Sequence, residues 1–396
     1  MKKEMNLIVS EMKRVAKLYQ VEPFALTQAQ FLKETDVKEW QLRKLGGFAG
    51  IKKVSFPQQD KALAEIQGGR ETASYIRKLE KQLAERQLFE ERLTKDVMGA
   101  IGKLPLAKIE IPKLIKDKTK RDMTIEFMLS DVHYGKLTGG DKPFNLSICR
   151  ARVRHAVSVL LREIEHNKML FNVERLIIAV IGDIIESYTM HGLESAIGCE
   201  FNNPSQVDEA IESIWFDVVV PLAKTGLTLD FVGVTGNHDR TEVKKTMNKP
   251  GLNQLSYIIY QAIKRLATVA GLKNITFHIP HESFTVLDIY GSPALFEHCD
   301  NVGAPEKRQF ELLMQKRGKQ VGKQIHFLRG GHWHEYMCFD RGRIIINESV
   351  SGQDGYSETM GFNSSAGQTI NYYIKTDVRP TPFYKSFPVC LSHITK

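Results

Sequence analysis

Leu176-Ile177-Ile178-Ala179-Val180-Ile181-Gly182-Asp183 is the stretch from which the fold is read. Six apolar residues in a row, with no polar alternation, mark a strand covered on both faces, as in a parallel sheet lying between two layers. Gly182 lets the backbone come close to whatever Asp183 holds. A carboxylate that ends so apolar a run must be paired, protonated or bound to metal, because an isolated buried charge is too costly. Bridging two cations satisfies it best.

Similar units lie on either side. Phe127-Met128-Leu129 leads into Ser130-Asp131-Val132-His133, and Leu229-Asp230-Phe231-Val232-Gly233-Val234 leads through Thr235 into Gly236-Asn237-His238-Asp239. Asp131 and His133 are one residue apart at a strand end, so both side chains leave the pleat on the same side and can share one ion. Asn237 offers a neutral amide oxygen suited to a hard cation. His238 beside it can hydrogen-bond a phosphoryl oxygen or give a proton to a leaving group. Asp239 is expected to hold that imidazole in its useful tautomer and raise its pKa. Gly331-His332-Trp333-His334 repeats the one-residue spacing with two imidazoles, and His298 closes the run Ala294-Leu295-Phe296-Glu297. Glu186, a helical turn beyond Asp183, is expected to hydrogen-bond a ligand from behind. The loop 188–203 with His191, and Arg240 after the tetrad, are candidate substrate contacts.

From Thr124 onward strands and helices alternate: strand 125–129, helix 147–166, strand 176–181, helix 206–224, strand 229–234, helix 252–270 and strand 275–279, then short strands at 284–289, 294–297, 324–328, 343–347 and 369–375. A doubly layered α/β domain over 123–396 is expected, with the ligands gathered at the carboxyl ends of its strands.

These five segments resemble the calcineurin-like metallophosphoesterases, whose blocks run D-x-H, G-D, G-N-H-D/E, a lone H and G-H-x-H, in the order found here between Asp131 and His334. The resemblance implies a two-layered sandwich of mixed β-sheets flanked by helices. It also implies that Asp131, His133, Asp183 and His334 hold one metal ion and that Asp183, Asn237, His298 and His332 hold a second, with His238 catalytic. Glu186 stands where the family usually has an aspartate. Two cations about 3.5–4 Å apart lower the pKa of a shared water and clamp phosphoryl oxygens, so a bridging hydroxide attacks in line while His238 assists the leaving group. Mixed Asp, Asn and His ligation suits manganese, iron or zinc better than calcium. Manganese is the first choice, because family members are commonly assayed with it; magnesium is a further candidate.

The choice among phosphoesters rests on other residues. The net charge is +9, and residues 1–124 carry 26 Lys+Arg against 17 Asp+Glu, so the whole excess precedes the metal motifs, where it can meet a polyanion. Residues 1–57 read as a small all-α domain with a helix-turn-helix module, in which Lys38, Arg43, Lys44, Lys52 and Lys53 are candidate DNA contacts. A long helix over 71–101 offers a surface for self-association, and residues 103–121, with seven Lys+Arg and two acids, read as a basic linker feeding the site. DNA is therefore the expected partner. The arrangement is similar to DNA-repair-type nucleases, including phage-encoded sequences, but the extra domain precedes the core, so no ATPase partner is inferred. A phosphatase or phosphodiesterase acting on nucleotides or phosphoproteins is the alternative, and an inactive DNA-binding or structural protein the next.

No run of about 18 apolar residues occurs, and the amino end lacks a secretory pattern. The five cysteines are odd in number and include no CxxC pair. A bacterial or phage-infected cytoplasm, with no membrane partner, is the expected setting.

Overall fold

The computed structural model describes residues 108–139, 143–188, 197–241, 254–352, 365–377 and 381–395. The expected helical module, the 71–101 helix, the five candidate DNA contacts and His191 lie outside them.

Two mixed sheets form the centre. In the first, β1 (Asp122–Leu129), β2 (Asn172–Ile181), β3 (Thr228–Val234) and β4 (Ile275–His278) run parallel. β10 (Gly367–Ile374) pairs antiparallel with β1, and β11 (Phe383–Cys390) antiparallel with β10. The second sheet has the order β5-β6-β7-β9-β8. Its centre is the parallel set β6 (Ser292–Glu297), β7 (Phe327–Gly330) and β9 (Ile344–Ile346), with β5 (Phe284–Ile289) and β8 (Met337–Phe339) antiparallel at the edges.

The unbroken apolar run of β2 is explained by what lies on its two faces. Leu176, Ile178 and Val180 pack against α1 (Leu146–Lys168), α2 (Asn203–Ser213) and α4 (Leu255–Val269). Ile177, Ala179 and Ile181 pack instead against Leu287, Ala294, Phe296 and Ile345 of the second sheet. That sheet's outer face is covered by α5 (Lys307–Val321) through Phe310, Leu313 and Met314. The layers are therefore helix, sheet, sheet, helix: the two-layered sandwich flanked by helices that the sequence leads one to expect.

Some elements differ from the sequence reading. The helix expected over 206–224 is α2, a π-helical turn at Ile214–Val219 and the short α3 (Val220–Ala223). The reading omits α5, β8 and β11. The strand expected at 324–328 is β7, which ends at Gly330 and so delivers the chain directly to Gly331 and His332.

The basic linker takes an unexpected course. Ile109 N–H donates to the Ala270 carbonyl just after α4, Asp117 N–H to Asn172 Oδ1 at the start of β2, and Lys116 pairs with Glu174. Residues 108–121 thus cross the amino ends of the parallel strands. The carboxyl ends are one strand length away, about 25 Å for the eight residues of β1. The linker does not feed that end of the sheet.

A buried ion pair joins the two sheets. Arg329 of β7 donates through Nε to Glu126 Oε1 of β1 at 2.9 Å, and both residues are fully buried. Tyr373 donates its hydroxyl to Glu126 Oε2 at 2.9 Å and Asn371 donates to Oε1 at 2.6 Å, while Arg329 Nη1 reaches the carbonyls of Leu328 and Gly342. Removing one member leaves the other charge buried without its counter-charge. Arg329→Met should therefore cost about 3–5 kcal/mol in chemical denaturation, and adding Glu126→Gln should recover part of that. A single variant within about 1 kcal/mol of wild type would contradict the role given to this pair.

Candidate metal centre

Five strand ends meet at one end of the sandwich. Asp131 and His133 follow β1, Asp183 follows β2, and Asn237 and His238 follow β3; His298 follows β6, and His332 and His334 follow β7. Sequence distances of up to 203 residues collapse because β1 to β3 in one sheet and β6 and β7 in the other all present their carboxyl ends on this side. Asp131, His133, Asp183 and His298 are buried, while His238 and His334 keep about a fifth of their side-chain surface open to solvent.

The backbone is strained where these residues sit. Asp131 (φ 51°), His133 (56°), Asp183 (49°), His332 (75°) and His334 (57°) all occupy the left-handed region. Each such residue costs about 1–3 kcal/mol and persists only where its surroundings hold it. Here they do: Asp131 and His133 N–H groups donate to the carbonyls of Gly182 and Asp183, and His332 N–H donates to the Asp131 carboxylate at 3.0 Å. Close approach also explains two glycines. A Cβ on Gly236 would lie 2.1 Å from Asp183 Oδ1, and one on Gly331 would lie 2.4 Å from Asp131 Oδ2.

Spacing between the side-chain atoms tests whether a cation fits. His133 Nε2 is 3.2 Å from His334 Nε2, which is 3.3 Å from Asp131 Oδ1. His298 Nε2 is 3.1 Å from Asp183 Oδ2 and 3.2 Å from Asn237 Oδ1, with the His332 ring centroid 5.2 Å from that of His298. Two atoms bound at about 2.0–2.1 Å to one ion are about 2.8–3.0 Å apart at octahedral angles and about 3.3–3.4 Å apart at tetrahedral ones. All four contacts match the edges of a coordination polyhedron. Two imidazole nitrogens facing each other at 3.2 Å need a proton or a cation between them, so the donor set fits metal. The acid and imidazole groups fall into Asp131, His133 and His334 on one side and Asp183, His298 and His332 on the other.

Charge among these side chains is tightly balanced. Burial alone would raise the Asp183 carboxyl, but His298, His238 and His133 outweigh it and hold the pKa well below the ordinary range. His298 is pushed well above its usual value, because the Asp183 charge overcomes the burial that disfavours an imidazolium. Burial and the neighbouring His298 lower His332 to about 4. His238 is raised: burial opposes its charge, but Asp183 and Glu186 favour it more.

Asp239 does not do what its position beside His238 suggests. Its carboxylate accepts from the N–H groups of Gly236 (2.7 Å), Asp183 (3.0 Å), Ile184 (2.9 Å) and Ile185 (3.3 Å). It is a strut that ties the β3 loop to the β2 loop. His238 Nδ1 lies 2.8 Å from the Glu186 carbonyl oxygen, and a carbonyl can only accept, so the ring's tautomer is set there. The expected orienting role of Asp239 is thus a correction, and its cause is that four backbone donors compete for one carboxylate.

Two supports escape the sequence reading. Ser130, Gln368 and Asn347 form a buried side-chain cluster under Asp131, with Ser130 N–H donating to Gln368 Oε1 at 2.9 Å and Asn347 Nδ2 to the same oxygen at 2.8 Å. Lys136 is 7% exposed, its main-chain N–H donates to the His133 carbonyl, and its charge acts on Glu186 and His133. The only sequence signal for either was proximity to the motif. Arg240 is buried, its Nε has no hydrogen-bond partner among the described residues, and its main chain bridges Gln254.

No family model matches the chain, and no curated protein matches it. Solved structures similar to it include a novel archaeal phosphodiesterase (10% identity, TM-score 0.30, covering 67% of this chain and 99% of that one). A predicted phosphoesterase from Streptococcus pneumoniae TIGR4 (13%, 0.27, 68% and 98%) and a hypothetical protein from Pyrococcus horikoshii OT3 (11%, 0.33, 67% and 88%) are also similar. At such identities and scores the chemistry has to be read from the site's own side chains.

Asp239→Ala should strand four buried N–H groups and lower stability by about 1–3 kcal/mol or more in a thermal melt. An unchanged melt with activity lost would restore the orienting role.

Proposed function

We propose that the chain is a metal-dependent phosphoesterase with a dinuclear site, acting on phosphodiesters. The observation that carries this reading is the set of four ligand-to-ligand separations of 3.1–3.3 Å among Asp131, His133, His334, Asp183, Asn237 and His298. Asp131, His133, Asp183 and His334 would hold one divalent ion, and Asp183, Asn237, His298 and His332 the other, with manganese the first candidate. When bound, such ions lower the pKa of water and draw charge from phosphoryl oxygens.

The chain's own groups do the rest. Glu186 fixes the His238 ring through Nδ1, so titration takes place at Nε2, the nitrogen suited to hand a proton to the departing oxygen. Asp239 and the glycines at 236 and 331 keep the loops close enough for both ligand groups to converge.

DNA is the proposed substrate class, so the activity would be that of a nuclease. What supports it is the excess charge of residues 1–124. Residues 108–121 contribute to DNA holding only if the substrate wraps the domain, since they cross its far end. Hydrolysis of nucleotides or phosphoproteins is the second reading, and that course of the linker favours it.

Incubation with Mn²⁺ and labelled single- or double-stranded DNA, bis-p-nitrophenyl phosphate and p-nitrophenyl phosphate separates these readings. Cleavage of DNA and of the diester is expected, and His238→Ala should slow it about 10²–10⁴-fold while metal stays bound. Hydrolysis of the monoester alone would sink the nuclease assignment. No hydrolysis with any divalent metal would sink the enzyme assignment.

A further inference from the structure

Glu186 is placed between two histidines with different tasks. Its Oε2 lies 2.7 Å from His133 Nδ1 and 3.9 Å from His238 Nδ1, whereas its carbonyl oxygen lies 2.8 Å from His238 Nδ1. We propose that Glu186 is a positioning residue for both: the carboxylate fixes His133 as a metal ligand, and the main-chain carbonyl fixes His238 for proton transfer. This rests on the metal reading of the site.

The arrangement follows from what each imidazole atom can do. His133 Nδ1 and Glu186 Oε2 are in ion-pair contact at 2.7 Å but outside hydrogen-bond geometry; a proton kept on Nδ1 by that carboxylate leaves His133 its Nε2 lone pair, and Nε2 is the atom 3.2 Å from His334 Nε2. A carboxylate behind a ligand imidazole also raises its basicity. At 3.9 Å the same carboxylate is beyond hydrogen-bond reach of His238. His133, Glu186 and His238 offer ligand atoms within 4.8 Å of one another, yet they do not make a third metal site. His238 Nδ1 is committed to a carbonyl, and a neutral His133 has a single ring lone pair, which Nε2 presents toward His334.

The segment holding Glu186 is itself pinned. Glu186 N–H donates to the Tyr134 carbonyl at 3.0 Å, and the next N–H, of Ser187, donates to Gln206 Oε1 at 2.9 Å. Side chain and carbonyl are thereby held in one orientation.

Manganese titration calorimetry on the full chain tests this, together with the rate of diester hydrolysis at saturating metal. Wild type should bind two ions. Glu186→Ala should bind one of them about 10–100-fold more weakly and leave the other unchanged. Glu186→Gln, which keeps the shape and an acceptor oxygen, should weaken the same site by less. Diester hydrolysis by Glu186→Gln at saturating metal should persist, because the carbonyl that orients His238 survives. Wild-type binding with unchanged affinity in both variants would overturn the inference alone. So would loss of hydrolysis in Glu186→Gln at saturating metal with both metal affinities intact, since the side chain would then serve His238. A wild-type chain that binds no manganese would overturn the metal reading and this inference with it.

Discussion

A carboxylate buried at the end of the most apolar strand needs partners, and the rest of the site is arranged to supply them to Asp183. One oxygen accepts from His238 N–H at 2.8 Å and the other faces His298 Nε2 at 3.1 Å. Its own N–H donates to Asp239. Asp183 thus touches the loop after β3, the strand end of the second sheet and its own turn. An isolated charge there would be prohibitive.

Two sheets are needed because one cannot bring enough ligands together. The first supplies Asp131, His133, Asp183 and Asn237, and the second supplies His298, His332 and His334. Their relative register must be exact to a few tenths of an ångström, and polar links set it. Arg329 and Glu126 join the sheets within the sandwich, and Ser130, Gln368 and Asn347 join the turns above. Against these fixed points the left-handed backbone at five candidate ligands can be held.

Much of this was legible in the sequence, because apolar runs ending in Gly-Asp or Gly-Asn-His-Asp report both a strand and what its end must carry. The seven candidate ligands come together for that reason. The task of Asp239 was not legible: nothing in the tetrad says that four amides from two loops compete for its carboxylate. Nor was the course of the basic linker, since charge content does not say which end of a sheet a segment crosses. Helix α5 is missed because its apolar stripe, Phe310, Leu313 and Met314, is short and set among lysines, arginines and glutamines.

Anomalous diffraction from crystals of the full chain soaked in Mn²⁺ tests the dinuclear site most directly. Two peaks about 3.5–4 Å apart are expected, one among Asp131, His133 and His334 and one among Asn237, His298 and His332, with Asp183 in contact with both. A single peak, or none at these residues at saturating manganese, would contradict the dinuclear site.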